Sequence, residues 1–173
     1  GKIAITLRDG DELIAAKKTS GNSEILIAAS NGRMVRFDES EARVMGRSAS
    51  GVKGIDIENG ICVGCEVSDE NQQILVVTKK GYGKKTDLSE YRKTHRGSKG
   101  VKALNITDKN GNLVAFKTVH GDEDLMIMTN SGVIIRLPLE QVSTTGRVAQ
   151  GVRLIHLKDD QMVSTVTTIQ KEE

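Results

Sequence analysis

Short apolar runs alternate with glycine-centred turns along the chain, and this pattern predicts β-strands rather than helices. The strongest runs are residues 24–29, 73–78 and 124–129, and each leads through a glycine turn into a second run. That arrangement is typical of β-hairpins. The first run of each hairpin is almost uniformly apolar, as expected for strands in sheets that are covered on both faces. The sequence contains no long amphipathic helical pattern, and Pro138 is its only proline.

A repeat of about fifty residues organises these runs. Its landmark is a glycine followed by Val-Lys or Val-Arg, found at Gly51, Gly100 and Gly151, which are 49 and 51 residues apart. Each unit is predicted to hold four strands, with one helical turn in the polar connection after the second. The predicted second strands are residues 33–37, 84–88 and 133–137, the third strands are 52–57, 101–106 and 152–157, and the fourth strands are 61–67, 113–119 and 162–169.

The predicted fold class is all-β, a propeller-like array of four-stranded blades that forms a partial ring of about three blades. Small sheets stacked face to face around an axis bury both faces of the apolar strands. Residues 1–20 are predicted to be tail strands of a preceding blade. Residues 21–68, 69–120 and 121–173 are predicted to be successive blade repeats, all within one domain.

The charge distribution indicates a polyanionic partner. The formal net charge is only +2, but the window from Lys79 to Lys102 holds nine Lys or Arg against Asp87 and Glu90. A concentrated basic patch on a near-neutral chain is typical of polyanion binding, and a solvated charged surface is the alternative. Aromatic residues are too scarce for base stacking. Because no apolar run approaches the ~20 residues of a membrane helix, no membrane association is expected.

No grouping of residues points to catalysis, a metal or a cofactor. Cys62 and Cys65 have metal or redox spacing, but two thiols are half the ligand set of a structural zinc site. Apolar or small residues fill the same positions in the other units, so we expect core cysteines on opposite faces of a strand. Residues 81–85 lack the spacing of a phosphate-binding loop and are predicted to be a hairpin turn.

Aligning the units brings basic residues into register. Around a ring, equivalent positions form a stripe along the rim, which suits the regular phosphate backbone of duplex nucleic acid. The first set precedes the landmark glycine by fifteen residues, the second precedes it by four, and the third follows it by two: Arg36, Lys85 and Arg136; Arg47, Arg96 and Arg147; Lys53, Lys102 and Arg153. The middle unit adds Lys84, Arg92, Lys93 and Lys99.

These thirteen residues are the predicted DNA-binding residues, but each set has a structural alternative. Arg36 and its equivalents end a strand, where they could equally pair with a carboxylate of the neighbouring blade. Arg47 and its equivalents lie among Gly and Ser, where backbone amides can also approach phosphates, which favours binding. The direction in which Lys53 and its equivalents point is left open. Tyr82 and Tyr91 are expected to pack rather than to stack on bases.

Four segments closely resemble the C-terminal domain of DNA gyrase A subunits, and the resemblance extends over essentially the whole chain. They are residues 31–36 (NGRMVR), 46–55 (GRSASGVKGI), 81–86 (GYGKKT) and 143–152 (STTGRVAQGV). The resemblance implies a β-pinwheel, a propeller variant whose blades exchange strands, and the chain is similar to its last three blades. It also implies duplex DNA wrapped around a basic perimeter, in support of ATP-dependent negative supercoiling by a type IIA topoisomerase.

The same resemblance implies which partners the chain has and which activities belong to other parts of the enzyme. The partners would be double-stranded DNA, the rest of the gyrase A subunit, and the gyrase B subunit, in the bacterial cytoplasm and associated with the nucleoid. ATP, Mg²⁺ and the strand-cleaving tyrosine belong to other parts of that enzyme, so neither Tyr82 nor Tyr91 takes the cleaving role. The family's box, Q-R-R-G-G-[KR]-G, belongs to its first blade, and residues 94–100 (THRGSKG) match it at four of seven positions.

Two other functions are left open. One is the C-terminal DNA-binding domain of the topoisomerase IV A subunit, which shares the fold. The other is a propeller scaffold that binds proteins, in which the aligned cations merely bridge blades. Steep salt dependence of duplex binding would distinguish DNA binding from the scaffold, because counterion release accompanies phosphate contacts.

Overall fold

The computed structural model describes residues 1–68 and 72–171, and its regular structure is almost entirely β. Three short 3₁₀ turns, Glu39–Glu41, Leu88–Glu90 and Leu139–Gln141, follow the second strand of each unit. No helix of this described part is long and apolar enough to cross a membrane. The strands are β1 Glu24–Ala29, β2 Arg33–Asp38, β3 Cys62–Ser68, β4 Gln73–Thr78, β5 Tyr82–Asp87, β6 Val101–Lys102, β7 Leu113–Val119, β8 Glu123–Thr129, β9 Ile134–Pro138, β10 Val152–Arg153 and β11 Val163–Gln170. The all-β prediction is confirmed.

The strands form three antiparallel sheets that exchange strands between units. Their orders are β3-β1-β2-β6, β10-β5-β4-β7 and β11-β8-β9. In the first sheet β6 comes from the second unit and places Lys102 opposite Arg33. In the second sheet β10 comes from the third unit and places Arg153 opposite Tyr82. Each of these two sheets therefore crosses a predicted blade boundary, and residue 69, the predicted start of the second unit, lies outside the described residues.

The third strand of each unit is shorter than predicted. β6 and β10 contain two residues each, and residues 52–57 contain no strand. A strand exists only where another strand accepts its hydrogen bonds, and β2 and β5 provide that partner for β6 and β10. No sheet in the described part of the chain offers such an edge to residues 52–57.

Residues 1–20 also contain no strand, in contrast to the tail strands predicted there. Their apolar side chains are largely exposed, at 76% for Ile3 and 64% for Leu13. The segment is held at a few points, such as the 3.1 Å bond from the Thr6 amide to the Ala49 carbonyl. The apolar alternation is present in the sequence, but the segment finds no partner strand in the described chain.

The hydrophobic core lies between successive sheets. In β4, Ile74 and Val76 pack with the first sheet's residues, while Leu75 and Val77 pack with those of the third sheet. All four side chains are completely buried, so the middle sheet is covered on both faces as predicted. Burying each such side chain contributes about 1.5–3 kcal/mol. In the third sheet the paired residues Met128 and Ile134 are 38% and 50% exposed, so that face is not covered.

The landmark glycine is required by a close approach between backbones. Gly100 has φ +67°, and a Cβ on it would lie 1.9 Å from the Met34 carbonyl oxygen. Gly151 has φ +80°, and its Cβ would lie 2.8 Å from the Gly83 oxygen. Only glycine combines a positive φ with this small contact distance. Gly51 has the same conformation, at φ +88°, but nothing lies within 4 Å of its Cβ position.

β3, β7 and β11 each contain a β-bulge where they pair with β1, β4 and β8. The register shifts between Ala28 and Ala29, between Val77 and Thr78, and between Val163 and Thr165. As a result Cys62 pairs with Ala29 and Cys65 with Ile27, on one face of β1 rather than on opposite faces as predicted. Both cysteines are free and half-buried, and burial raises the pKa of both thiols.

One edge strand of each sheet lines a shared cavity, and we call this edge the inner edge. β3, β7 and β11 converge on a cavity of about 350 Å³, where residues 14–17 also lie. β6 and β10 form the opposite edges of the first two sheets. The outer rim therefore carries β6, β10 and the loops that precede them.

Candidate nucleic-acid interface

Arg36 is a contact between units rather than a free cation. Its Nε donates to Glu24 Oε2 at 2.5 Å, and its Nη1 donates to the carbonyls of Leu88 and Tyr91 at 3.0 and 2.8 Å. Only 18% of the side chain is exposed. The contact thus joins the first sheet to the second unit through backbone carbonyls, while the carboxylate partner Glu24 belongs to the same unit rather than to the neighbouring blade. We withdraw Arg36 from the DNA-binding set.

Lys85 and Arg136 occupy the repeat position equivalent to Arg36, and their surroundings differ. Lys85 is buried, because its strand is covered by residues 143–145. It too is withdrawn. Arg136 donates to Asp124 Oδ2 at 2.7 Å but remains 57% exposed, so its outer surface is open to a ligand.

Lys84 is completely buried, which corrects its predicted role in DNA binding. Its Nζ donates to the carbonyls of Gly146 and Arg147, both at 2.6 Å. Desolvation lowers the pKa of the ammonium to about 8. The repeat alignment contained the signal, because Val35 and Ile135 occupy the equivalent positions and a buried position is expected there.

Arg96 and Arg147 lie half-buried at the boundaries between units. Arg96 Nη1 donates to the Lys53 carbonyl at 2.7 Å, and Arg147 Nη1 donates to the Lys102 carbonyl at 2.6 Å. Both acceptors are backbone oxygens, so neither guanidinium is neutralised by an ion pair in these contacts. The third member, Arg47, is exposed.

Lys53, Lys102 and Arg153 all point to solvent, which answers the question of direction that the sequence left open. Lys53 is 59% exposed and lies 3.3 Å from Asp56 Oδ2. Lys102 and Arg153 lie on the outermost strands β6 and β10. Arg153 also donates to the Tyr82 hydroxyl at 2.9 Å and lies 5.5 Å from the centre of its ring.

Apart from Lys84, the additional cations of the middle unit, Arg92, Lys93 and Lys99, are exposed but partly paired. Lys93 Nζ lies 2.7 Å from Glu24 Oε1 and 2.9 Å from Asp38 Oδ1, and both hydrogen bonds raise the pKa of Lys93. Lys99 bonds to Glu58 at 2.5 Å, which raises its pKa. Within the described part of the chain, the side chains of Arg47, Arg92 and Lys102 make no hydrogen bond or ion pair, so their charges are uncompensated.

Sequence reasoning missed two acidic residues of this surface, Glu41 and Glu90. Each accepts a hydrogen bond from the backbone N–H of an arginine of the next unit, Arg96 or Arg147, at 3.0 and 2.7 Å. Their spacing of 49 residues, equal to that of Gly51 and Gly100, was the available signal. The described residues contain no group of three or more His, Cys, Asp or Glu arranged to hold a metal.

Comparison with known proteins agrees with this arrangement. Residues 1–20, 23–69, 72–120 and 123–170 match the model of the DNA gyrase C-terminal domain, a β-propeller family. The chain belongs to this family. The DNA gyrase A subunit of Staphylococcus aureus, in strains MRSA252 and NCTC 8325, is 53% identical over 175 residues. That alignment covers 99% of the chain and 20% of the relative, so the chain spans about a fifth of the curated relatives' length.

Solved structures show the same fold as this gyrase C-terminal domain. A DNA gyrase A C-terminal domain superposes with a TM-score of 0.87 at 25% identity, covering 97% of this chain and 58% of the other. The C-terminal domain of a DNA topoisomerase IV gives a TM-score of 0.90 at 25% identity, covering 96% and 53%. The predicted pinwheel or propeller-like fold is confirmed.

Proposed function

We propose that this chain binds duplex DNA without sequence preference and wraps it around its outer rim. It does so as part of a gyrase A subunit, in support of ATP-dependent negative supercoiling by the whole enzyme. The observation that carries the proposal is the exposure of Lys53, Lys102 and Arg153 at one repeat position. In two of the three, that position lies on a strand at a sheet's outer edge.

The chemistry of the rim supports phosphate binding rather than base recognition. Its ligands are point charges and arginines, and aromatic side chains such as Tyr82 and Tyr91 are buried. Contacts to phosphates fix a protein on the duplex without reading sequence. We expect a dissociation constant of about 10⁻⁴–10⁻⁶ M, typical of non-specific binding at physiological salt.

A salt titration of duplex binding tests the proposal. Withdrawing Arg36 and Lys85 leaves seven of the nine aligned cations, and phosphate contacts by all seven would make log K fall with log salt at a slope of about −6. A slope between about −3 and −6 would support wrapping along the rim. Negligible affinity at low salt, or a flat response, would overturn it and favour a protein-binding scaffold.

The proposed partners follow from the same assignment. They are double-stranded DNA, the remainder of the gyrase A subunit, and the gyrase B subunit, in the bacterial cytoplasm near the nucleoid. This segment would need no cofactor of its own, with ATP and Mg²⁺ bound elsewhere in the enzyme. Binding should therefore be unchanged by ATP, which filter binding or fluorescence anisotropy can measure.

Topoisomerase IV remains the second candidate, because its C-terminal domain gives a TM-score of 0.90. The 53% identity to the gyrase A subunit over 99% of the chain supports gyrase instead. The full-length subunit with its ATP-hydrolysing partner should introduce negative supercoils into relaxed plasmid. Relaxation without introduction of supercoils would favour topoisomerase IV.

A further inference from the structure

Two carboxylates hold the loops that carry Arg96 and Arg147. Glu41 Oε2 accepts from the Arg96 backbone N–H at 3.0 Å, and Glu90 Oε2 accepts from the Arg147 N–H at 2.7 Å. Each carboxylate belongs to one unit and each arginine to the next. The same contact is therefore built twice, at two separate boundaries between units.

The side chains of the two arginines complete the contact. Arg96 Nε donates to the Glu41 carbonyl at 3.1 Å, while its Nη1 donates to the Lys53 carbonyl at 2.7 Å. These bonds use Nε and Nη1 and leave Nη2 for a phosphate oxygen. They also bring the guanidinium beside Lys53, whose ammonium is exposed, so that two cations of different units become neighbours on the rim.

The location of the carboxylates is set by local structure. Glu41 and Glu90 are the last residues of the 3₁₀ turns Glu39–Glu41 and Leu88–Glu90, directly beyond β2 and β5. The third turn, Leu139–Gln141, has Gln141 at that position. A negative charge is thus placed beside the proposed path of a polyanion, where simple electrostatics would disfavour it.

We propose that Glu41 and Glu90 are positioning residues for DNA binding, which strengthen binding of a polyanion by orienting the arginine of the next unit. This inference rests on the proposed DNA-binding function. Repulsion between an exposed carboxylate and the duplex is screened by salt, whereas a fixed arginine makes a direct charge-assisted contact with phosphate. The orienting effect therefore exceeds the repulsion.

The sign of one substitution tests the inference. In the full chain, Glu41→Ala should weaken binding of a mixed-sequence duplex about three- to tenfold at 0.1 M salt and make the salt slope shallower by about 1. Glu41→Gln should bind at least as tightly as wild type, because its amide oxygen still accepts from the Arg96 N–H. Glu140→Ala is the matched control, since Glu140 lies on the third 3₁₀ turn and pairs with Lys171 at 3.7 Å.

Glu140→Ala should bind as tightly as wild type or slightly more tightly, because it removes a negative charge and leaves Lys171 unpaired without changing a contact to an arginine N–H. If Glu41→Ala also tightens binding, the carboxylate acts by repulsion alone and the inference is overturned. Hydrogen exchange of the Arg96 amide without DNA gives a second readout, faster in Glu41→Ala and protected in Glu41→Gln. Equal exchange in both variants would likewise overturn it. Failure of the proposed function is separate, since wild type itself would then not bind duplex.

Discussion

The guanidinium of Arg36 donates a 2.8 Å hydrogen bond to the carbonyl oxygen of Tyr91, and so ties the first sheet to the second unit. Tyr91 is itself completely buried between the sheets. The same guanidinium bonds to Glu24 and to the Leu88 carbonyl. A cation that aligns with surface charges in the sequence is therefore part of the packing between units.

Arg36→Ala should lower the free energy of unfolding by about 2–4 kcal/mol, because it leaves Glu24 and two carbonyls without their donor. Urea denaturation measures the loss. Lys53→Ala is the control: its ion pair with Asp56 is exposed on both sides, at 59% and 36%, and the expected loss is below about 1 kcal/mol. Equal losses in the two variants would contradict this interpretation of Arg36.

Lys84 should make stability depend on pH in the alkaline range. Its pKa is lowered from 10.5 to about 8 in the folded chain, so between these values the unfolded chain binds more protons. Stability relative to a variant without this group therefore rises with pH across that range. Compared with Lys84→Met, wild type should gain up to about 3 kcal/mol between pH 8 and pH 10.5.

Denaturant unfolding of both proteins at several pH values measures this difference. Subtracting the two curves removes the titration of the remaining lysines and tyrosines, which both proteins share. A difference that stays constant with pH would show that Lys84 keeps an ordinary pKa despite its burial.

Gly100→Ala should be much more damaging than Gly51→Ala. Both positions have positive φ, and alanine there costs roughly 1–2 kcal/mol of backbone strain. Only at Gly100 would the new Cβ also meet the Met34 carbonyl, at 1.9 Å, which disrupts the pairing of β2 with β6. We expect a loss of about 3–5 kcal/mol for Gly100→Ala by thermal unfolding. Similar melting temperatures for the two variants would rule out the close approach.

Removing exposed rim cations should reduce the salt dependence of duplex binding. The double variant Lys53→Gln with Lys102→Gln should lower the magnitude of the salt slope by about 2, one for each lost phosphate contact. Lys17→Gln is the control for loss of a cation away from the rim, because Lys17 lines the inner cavity and pairs with Glu66. Its slope should equal that of wild type, and an equal decrease in both would place the duplex elsewhere.

The strands themselves were predictable because their signal is local. The first and fourth strands of each unit lie within one residue of the predicted bounds, since apolar runs bounded by glycine turns require no distant partner to be recognised. The third strands were not predictable in length. Their extent depends on an edge offered by another unit, as the absence of a strand in residues 52–57 shows.

The interface was predictable only in part. The repeat places cations in register, but register does not determine which way a side chain points. Lys102 and Lys84 belong to the same basic window, yet one is exposed and the other lies beneath the Gly146 and Arg147 carbonyls. The bulge that turns Cys62 and Cys65 to one face is likewise a property of pairing, which alternation along one strand does not contain.

Borrowing a strand from the following unit also constrains how such a gene can change in length. Since β2 and β5 each receive a Gly-Val-Lys or Gly-Val-Arg segment, recombination that adds or deletes one full period leaves every acceptor with an equivalent donor, wherever the join falls. Loss of a fraction of a period would leave an acceptor strand without an equivalent donor. The number of blades can therefore drift between lineages in whole steps, while the phase of the repeat stays fixed.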